Sequence, residues 1–222
     1  MRPNVANIDC VNIVIGAPPK PDYLLIDKII ISAISGGAEV VITVNKSDLS
    51  TETYDYVLKN YANSVDKIFS VSSVTGENID SLKEFLKGKL CAFCGQSAVG
   101  KTSLLNKLFS MSERVGNLSE KTMRGKHTTT SSEIHFYEDF KVVDTPGFSA
   151  NICEVKADEI KDYYRDFTEF SNGCYFLDCK HISEPDCAVK QALLDGKISK
   201  DRYDRYIEIF NERKKEEKYG KY

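Results

Sequence analysis

No stretch of this sequence approaches the roughly eighteen consecutive apolar residues that a membrane-spanning helix needs. The N-terminus, MRPNVANID, lacks the charged-then-apolar pattern of a secretory leader. Without either, the cytoplasm is the expected compartment and no membrane partner is expected. Nor is there an excess of positive charge: 30 Lys and Arg stand against 33 Asp and Glu, a formal net charge of −3. The overall balance does not announce a nucleic-acid binder, so any grip on a phosphate backbone must come from a local basic patch. Internal repeats and low-complexity linkers are missing as well. Seven cysteines in a cytoplasmic chain are not expected as disulfides. They remain as buried apolar residues or as metal ligands.

The 222 residues suffice for one α/β domain of ordinary size and a smaller appendage. Short apolar runs at 11–16 (VNIVIG), 40–45 (VVITVN), 67–73 (KIFSVSS) and 90–95 (LCAFCG) read as buried strands. YLLIDKIIISAISGG and ETYDYVLKNYA between them read as helices, the first stopping at Gly36 and Gly37. NIDSLKEFLKG puts Ile79, Leu82, Phe85 and Leu86 on one helical face, and EIHFYEDFKVVDT (133–145) reads as a hairpin turning near Glu138 and Asp139. The alternation predicts an α/β fold, a mainly parallel sheet with helices on both faces. After residue 152 the strand signals stop. EVKADEIKDYYRDFTEF and KDRYDRYIEIFNERKKEEK read as helices flanking a cysteine-rich loop, and KKEEKYGKY as a frayed tail. The expected division is therefore 1–152 and 153–222, the second part a helical subdomain.

Residues 91–106, CAFCGQSAVGKTSLLN, carry the G-x-x-x-x-G-K-[ST] pattern at Gly95, Gly100, Lys101 and Thr102. Glycines let backbone N–H groups curl round a polyphosphate, so the loop Gly95, Gln96, Ser97, Ala98, Val99, Gly100, Lys101, Thr102 and Ser103 is the expected phosphate cradle. Lys101 can reach the β- and γ-phosphates, and the Thr102 hydroxyl can sit on Mg²⁺. An apolar strand precedes and a helix with Leu104, Leu105 and Leu108 inward follows, aiming its positive end at the phosphates. Forty residues on, VVDTPG ends a strand at Asp144, a candidate for the Mg²⁺ shell, and offers the Gly147 N–H to the γ-phosphate.

Residues 45–48, NKSD, follow another apolar strand. The Asp48 carboxylate can accept from guanine N1–H and N2–H₂, a donor pair that adenine lacks. Asn45 can bond the purine and neighbouring loops, and the Lys46 stem can lie over the base. VSSVTGEN (71–78) then supplies Ser72 and Ser73 behind the base. These are the parts of a P-loop GTPase in the order base, base, phosphate, switch, switch. The usual order begins with the phosphate loop, so the chain reads as a circular permutation. Its second switch would run straight into the C-terminal helices, so loss of the γ-phosphate could move them directly. In the loop between those helices Cys174, Cys179, His181 and Cys187 read C-x₄-C-x-H-x₅-C, three thiolates and an imidazole that make a closed tetrahedral set for one structural zinc ion.

RPNVANID, NKSD, SSVTGEN, GQSAVGKTSLLN, RGKHTTT, DTPGF and the cysteine cluster together resemble the RsgA (YjeQ) family of bacterial circularly permuted GTPases, which act in small ribosomal subunit maturation. The resemblance covers essentially the whole chain. It implies GTP hydrolysis, slow alone and stimulated by the small subunit, with release from the ribosome gated by nucleotide state. It also implies the same four zinc ligands, the small subunit and its rRNA as partners, and a monomer. Family members carry an N-terminal OB-fold just before the RPNVAN-like stretch. This chain starts at that stretch, so no OB-fold is expected in it. Ala98 stands where the family usually has glycine. EKTMRGKHTTT (120–130) is the expected first switch, where one of Thr128 to Thr130, with Thr129 favoured, would complete the Mg²⁺ shell. The position after DTPG holds Phe148, which cannot orient water; His127 is the candidate instead, or else a basic loop residue facing RNA. Lys121, Arg124 and Lys126 give this loop a positive face that suits RNA phosphates. The expected catalytic groups are thus His127, Lys101 and Thr129. A non-catalytic module, gated by GTP or GDP and binding RNA or protein, is the alternative.

Overall fold

The computed structural model describes residues 8–110, 133–136, 140–144 and 155–220, with residues 110, 133–136 and 144 as backbone alone. Six strands form one sheet: β1 (Cys10–Ile15), β2 (Glu39–Val44), β3 (Lys67–Ser70), β4 (Leu90–Cys94), β5 (Glu133–Phe136) and β6 (Lys141–Asp144). Their spatial order is β3-β2-β1-β4-β6-β5. All neighbours are parallel except β5 and β6, which form the anticipated antiparallel hairpin with Phe136 opposite Lys141. Its turn, at 137–139, lies outside the described residues.

The central strands β1, β2 and β4 are buried on both faces because they are apolar at most positions. Successive side chains alternate between faces. Val11, Ile13 and Ile15 pack with Ile26, Ile29 and Ile30 of α1 (Tyr23–Ser35) and Val57 and Tyr61 of α2 (Glu52–Tyr61). Cys10 and Val14 face the other side, against Ile79, Leu82 and Leu86 of α3 (Ile79–Leu86) and Leu104 and Leu108 of α4 (Lys101–Ser110). The helices therefore cover both faces, as expected. The Asp22 carboxylate caps α1 by accepting from the Leu25 N–H at 3.0 Å. Gly37, at φ +77°, turns the chain out after α1.

Register sets where function can sit. Ile15 lies opposite Val44, Val44 opposite Ser70, and Ile13 opposite Cys94. Four parallel strands thus end at one rim, and the loops after them open there together. This is the position at which open α/β sheets hold their ligands.

Beyond residue 155 no strand occurs among the described residues. The helix expected across 154–170 is broken. A 3-10 turn at Ala157–Tyr163 gives way at Tyr164 (φ −90°, ψ 85°) to α5 (Arg165–Ser171). The break lets Tyr164 and Phe167 both enter one core, with ring centroids 5.0 Å apart. A short helix that the sequence did not signal, α6 (Ala188–Leu194), follows the cysteine loop. The last, α7 (Lys200–Lys218), spans the whole stretch read as a helix, so residues 214–218 of the stretch also read as a frayed tail are helical. Ile31 of α1 belongs to the same core as Tyr164, Phe167, Tyr206 and Ile209, so the helical segment packs directly on α1. The junction expected at 152/153 lies outside the described residues. No helix among the described residues is long and apolar enough to cross a membrane.

Candidate nucleotide site and metal centre

The phosphate loop leaves β4 at Gly95, whose φ of +130° excludes most side chains. A Cβ there would stand 2.1 Å from the Val14 carbonyl oxygen, and one at Gly100 (φ +92°) would stand 2.4 Å from Asn45 Nδ2. The loop therefore lies hard against β1 and the NKSD turn, and only glycine fits at those two contacts. Ala98 adopts the left-handed region at φ +64°, which gives the physical reason a glycine is usual there. Val99 is buried and anchors the loop, while Ser97, Thr102 and Ser103 are exposed. Lys101 Nζ donates to the carbonyls of Gly95 and Gln96 at 2.7 and 2.5 Å, which holds the ammonium over the cradle. Burial lowers its pKa, and burial pushes the adjacent Cys94 thiol up to about 12, so that thiol stays neutral.

The base-reading turn is built into the same structure. Asn45 is buried and bridges two loops: its Nδ2 donates to the Val99 carbonyl at 3.1 Å and its Oδ1 accepts from the Ser73 N–H at 3.0 Å. Of the two roles expected for Asn45, the structure displays the loop-bonding one. Lys46 sits at φ +69° and its Nζ donates to Ala98 O at 3.0 Å and to Pro18 O. The phosphate loop and the NKSD turn, fifty residues apart in sequence, are thereby tied by two side chains. Asp48 is exposed, and its Oδ1 accepts from the buried Ser72 hydroxyl at 2.5 Å. Ser72 Oγ in turn accepts from the Thr75 N–H at 3.0 Å. Ser72 thus acts on the carboxylate that would read the base, and Ser73 offers its backbone to Asn45.

Asp144 ends β6, one residue beyond the Ala92–Val143 pair and beside the strand that opens the phosphate loop. Its side chain, and His127, Thr129, Gly147, Phe148, Lys121, Arg124 and Lys126, lie outside the described residues.

A second centre lies in the helical segment. The ligand atoms of Cys174, Cys179, His181 and Cys187 all fall within 4.8 Å of one another. His181 Nδ1 is 3.6 Å from Cys174 Sγ and 3.4 Å from Cys187 Sγ, and those two sulfurs are 3.9 Å apart. Zinc with bonds of about 2.3 Å to sulfur and 2.0 Å to nitrogen has ligand edges of roughly 3.5–3.8 Å. The donor set therefore fits a tetrahedral zinc ion. Burial pushes His181 down to about 4, which keeps the imidazole neutral, and pushes Cys179 up to about 12, so metal binding would release thiol protons. Surrounding groups fix the ligands. The Tyr203 and Tyr206 hydroxyls donate to the carbonyls of His181 and Lys180 at 2.6 and 2.5 Å, and Lys161 Nζ to that of Cys179 at 2.9 Å. Cys187 doubles as the N-cap of α6, its sulfur accepting from the Lys190 N–H at 3.5 Å.

A sequence model of the RsgA GTPase family matches residues 1–153. The small ribosomal subunit biogenesis GTPase RsgA of Ruminiclostridium cellulolyticum is 40% identical over 214 residues, 95% of this chain and 70% of that protein. This chain belongs to the RsgA GTPase family. The crystal structure of YjeQ from Thermotoga maritima superposes with a TM-score of 0.80 at 34% identity, covering 96% of this chain and 73% of that one. YloQ, a circularly permuted GTPase, superposes with a TM-score of 0.76 at 27% identity over 94% of this chain and 69% of its own. The permuted arrangement expected from the motif order is thus the one that YloQ carries.

In this RsgA-family chain, sequence reading missed a buried charge network that joins the two parts. Asp27 of α1 and Arg202 of α7 are both 1% exposed. Arg202 Nη1 donates to Asp27 Oδ1 at 2.5 Å, while its Nε and Nη2 grip Asp166 of α5 at 3.1 and 3.0 Å. Its guanidinium carbon lies 4.6 and 4.8 Å from the ring centroids of Tyr61 and Tyr164. Arg205 donates to the other Asp27 oxygen, and its Nη2 to the Tyr61 hydroxyl at 3.1 Å. Burial raises the Asp27 pKa and the two guanidinium groups oppose that rise. The available signal was a lone acid amid the apolar residues of YLLIDKIIISAIS.

Proposed function

We propose that this chain hydrolyses GTP to GDP and phosphate during maturation of the small ribosomal subunit, and that nucleotide state sets its release from that subunit. One observation supports this most: Asn45 and Lys46 bind the phosphate loop to the guanine-reading turn in a chain of the RsgA family. The relatives bearing the name small ribosomal subunit biogenesis GTPase supply the ribosomal part of the reading. It favours turnover over a binding module without catalysis.

The roles follow from the chemistry. Asp48, held by Ser72, accepts the guanine N–H pair. Loop amides from Gly95 to Ser103 and the Lys101 ammonium stabilise charge on the β- and γ-phosphate oxygens. Thr102, Thr129 and Asp144 would hold Mg²⁺, which neutralises phosphate charge, and Gly147 would donate to the γ-phosphate. Water attacks the γ-phosphorus, GDP leaves, and His127 orients that water, because Phe148 has no polar group to do so. Lys121, Arg124 and Lys126 face rRNA. Cys174, Cys179, His181 and Cys187 hold one structural zinc ion in a unit spanning 153–222, next to a GTPase unit spanning 1–152. The protein acts as a cytoplasmic monomer.

Single-turnover phosphate release, with and without purified small subunits, tests this. Wild type is expected to be slow alone and strongly stimulated. His127→Ala is expected to bind GTP and subunits normally and to lose roughly a hundredfold to ten-thousandfold of the stimulated rate. No turnover by wild type under either condition would sink the enzymatic reading. Full stimulation of the variant would leave His127 an RNA-facing residue.

A further inference from the structure

The Gln96 side chain ties the phosphate loop to the segment that leads into α1. Gln96 Oε1 accepts from the Asp22 N–H at 2.8 Å, and Gln96 Nε2 donates to the Lys20 carbonyl at 3.4 Å. Both ends of the amide are spent on the segment that leads into α1, and Asp22 is the residue that caps α1. One and a half turns along the same helix stands Asp27, on which Arg202 and Arg205 of α7 converge. Interleaved with these two arginines on α7, Tyr203 and Tyr206 hold the carbonyls of the metal loop. A continuous set of hydrogen bonds and ion pairs therefore runs from phosphate loop to cysteine cluster, and it does not use the chain that leaves Asp144.

We infer that Gln96 is a positioning residue that couples nucleotide at the phosphate loop, through α1, to the C-terminal metal-bearing helices. The loop end of this connection has two competing engagements. Lys101 Nζ donates to the Gln96 carbonyl, and the same ammonium is the group a β- or γ-phosphate oxygen engages. Nucleotide thus draws Lys101 from the Gln96 peptide, whose side chain holds the cap of α1. At the far end, Asp27 and Arg202 are too buried to shift independently of one another. A displacement of α1 against the sheet must be shared by α7 or break a buried charge pair. Affinity changes passed along such a connection must act in both directions. The helical segment should therefore tune nucleotide affinity, and nucleotide should tune the order of α7.

This inference rests on the proposal that guanine nucleotide binds at 95–103. The test is a double-mutant cycle on the zinc-loaded full chain, read by GDP titration. Gln96→Leu removes the amide at similar size. Arg205→Met removes one charge from Asp27 while Arg202 keeps its own pair; Arg205→Lys replaces it if the methionine variant loses zinc. Distant, unconnected sites change binding additively. Here the Arg205 variant is expected to weaken GDP binding by about threefold to tenfold in wild type and by less than about twofold in Gln96→Leu. Equal effects in both backgrounds, or none in either, overturn the inference. Hydrogen exchange gives a second readout: GDP is expected to raise protection over residues 200–210 in wild type and not in Gln96→Leu. Identical protection with and without GDP in wild type overturns it as well. Failure of wild type to bind GDP at all would overturn the nucleotide reading, and this inference with it.

Discussion

In the first half of the molecule four parallel strands bury apolar side chains on both faces, and the polar groups that matter lie in loops at the strand ends. The described helical segment, 155–220, has no strand. Its core includes Ile31 borrowed from α1, the buried Arg202, and two of the cysteines. The first half can reach its fold by burying surface, so its functional loops are free to carry strain, as at Ala98. The second half has less apolar surface to bury. It is completed by a cluster of three cysteines and a histidine that could hold a metal ion, and by a charge cluster shared with its neighbour. The two halves should therefore fail in different ways.

The largest expected effect is loss of metal. Structural zinc contributes roughly 10–16 kcal/mol of binding free energy to small domains. Cys187→Ala, which also removes the cap of α6, is expected to abolish zinc binding and to open 155–220 to proteolysis, while β1 to β4 keep their amide protection. Metal analysis with hydrogen exchange checks this, and simultaneous loss of protection in both halves would contradict it. Next is Asp27→Asn. It leaves two guanidinium groups facing a neutral amide in a buried site, at a cost of about 3–5 kcal/mol. The thermal transition should fall steeply with zinc still bound, because none of the four metal ligands is touched. The smallest effect sharpens the comparison from the other side. Ala98→Gly relieves a left-handed alanine at about 1–2 kcal/mol and returns up to about 1 kcal/mol to the unfolded chain. A rise of a few degrees in the melting temperature is expected, and a fall would mean that the loop carries no strain at that position.

Legibility followed the same division. Gly95, Gly100, Lys101 and Thr102 were readable because a backbone wrapped around phosphate constrains a short stretch, and NKSD because a base edge does. Cys174, Cys179, His181 and Cys187 were readable because metal geometry limits residue type and spacing. Both sheet faces followed from apolar runs. The break at Tyr164 was not legible, since only the tertiary core rewards placing two aromatics there. Neither was α6, whose seven residues are too few to show a helical period. The Asp27–Arg202 pair spans 175 residues, and the Gln96–Asp22 bond 74. Such partners are brought together only by the fold. For His127, Thr129 and Gly147, which lie outside the described residues, the sequence reading stands as a proposal.

The central claim is that two motifs in reversed order form one guanine-nucleotide site, with Asp48 as its reader. Titration of wild type and Asp48→Asn with GTP and with xanthosine triphosphate tests it most directly. The amide cannot accept the guanine N–H pair with a charge but can donate to the 2-oxo group of xanthine. Hydrogen bonds to a charged group contribute about 1.5–3 kcal/mol, so GTP affinity should fall roughly tenfold to a hundredfold while xanthosine triphosphate becomes the preferred ligand. GTP affinity unchanged in the variant would contradict the account.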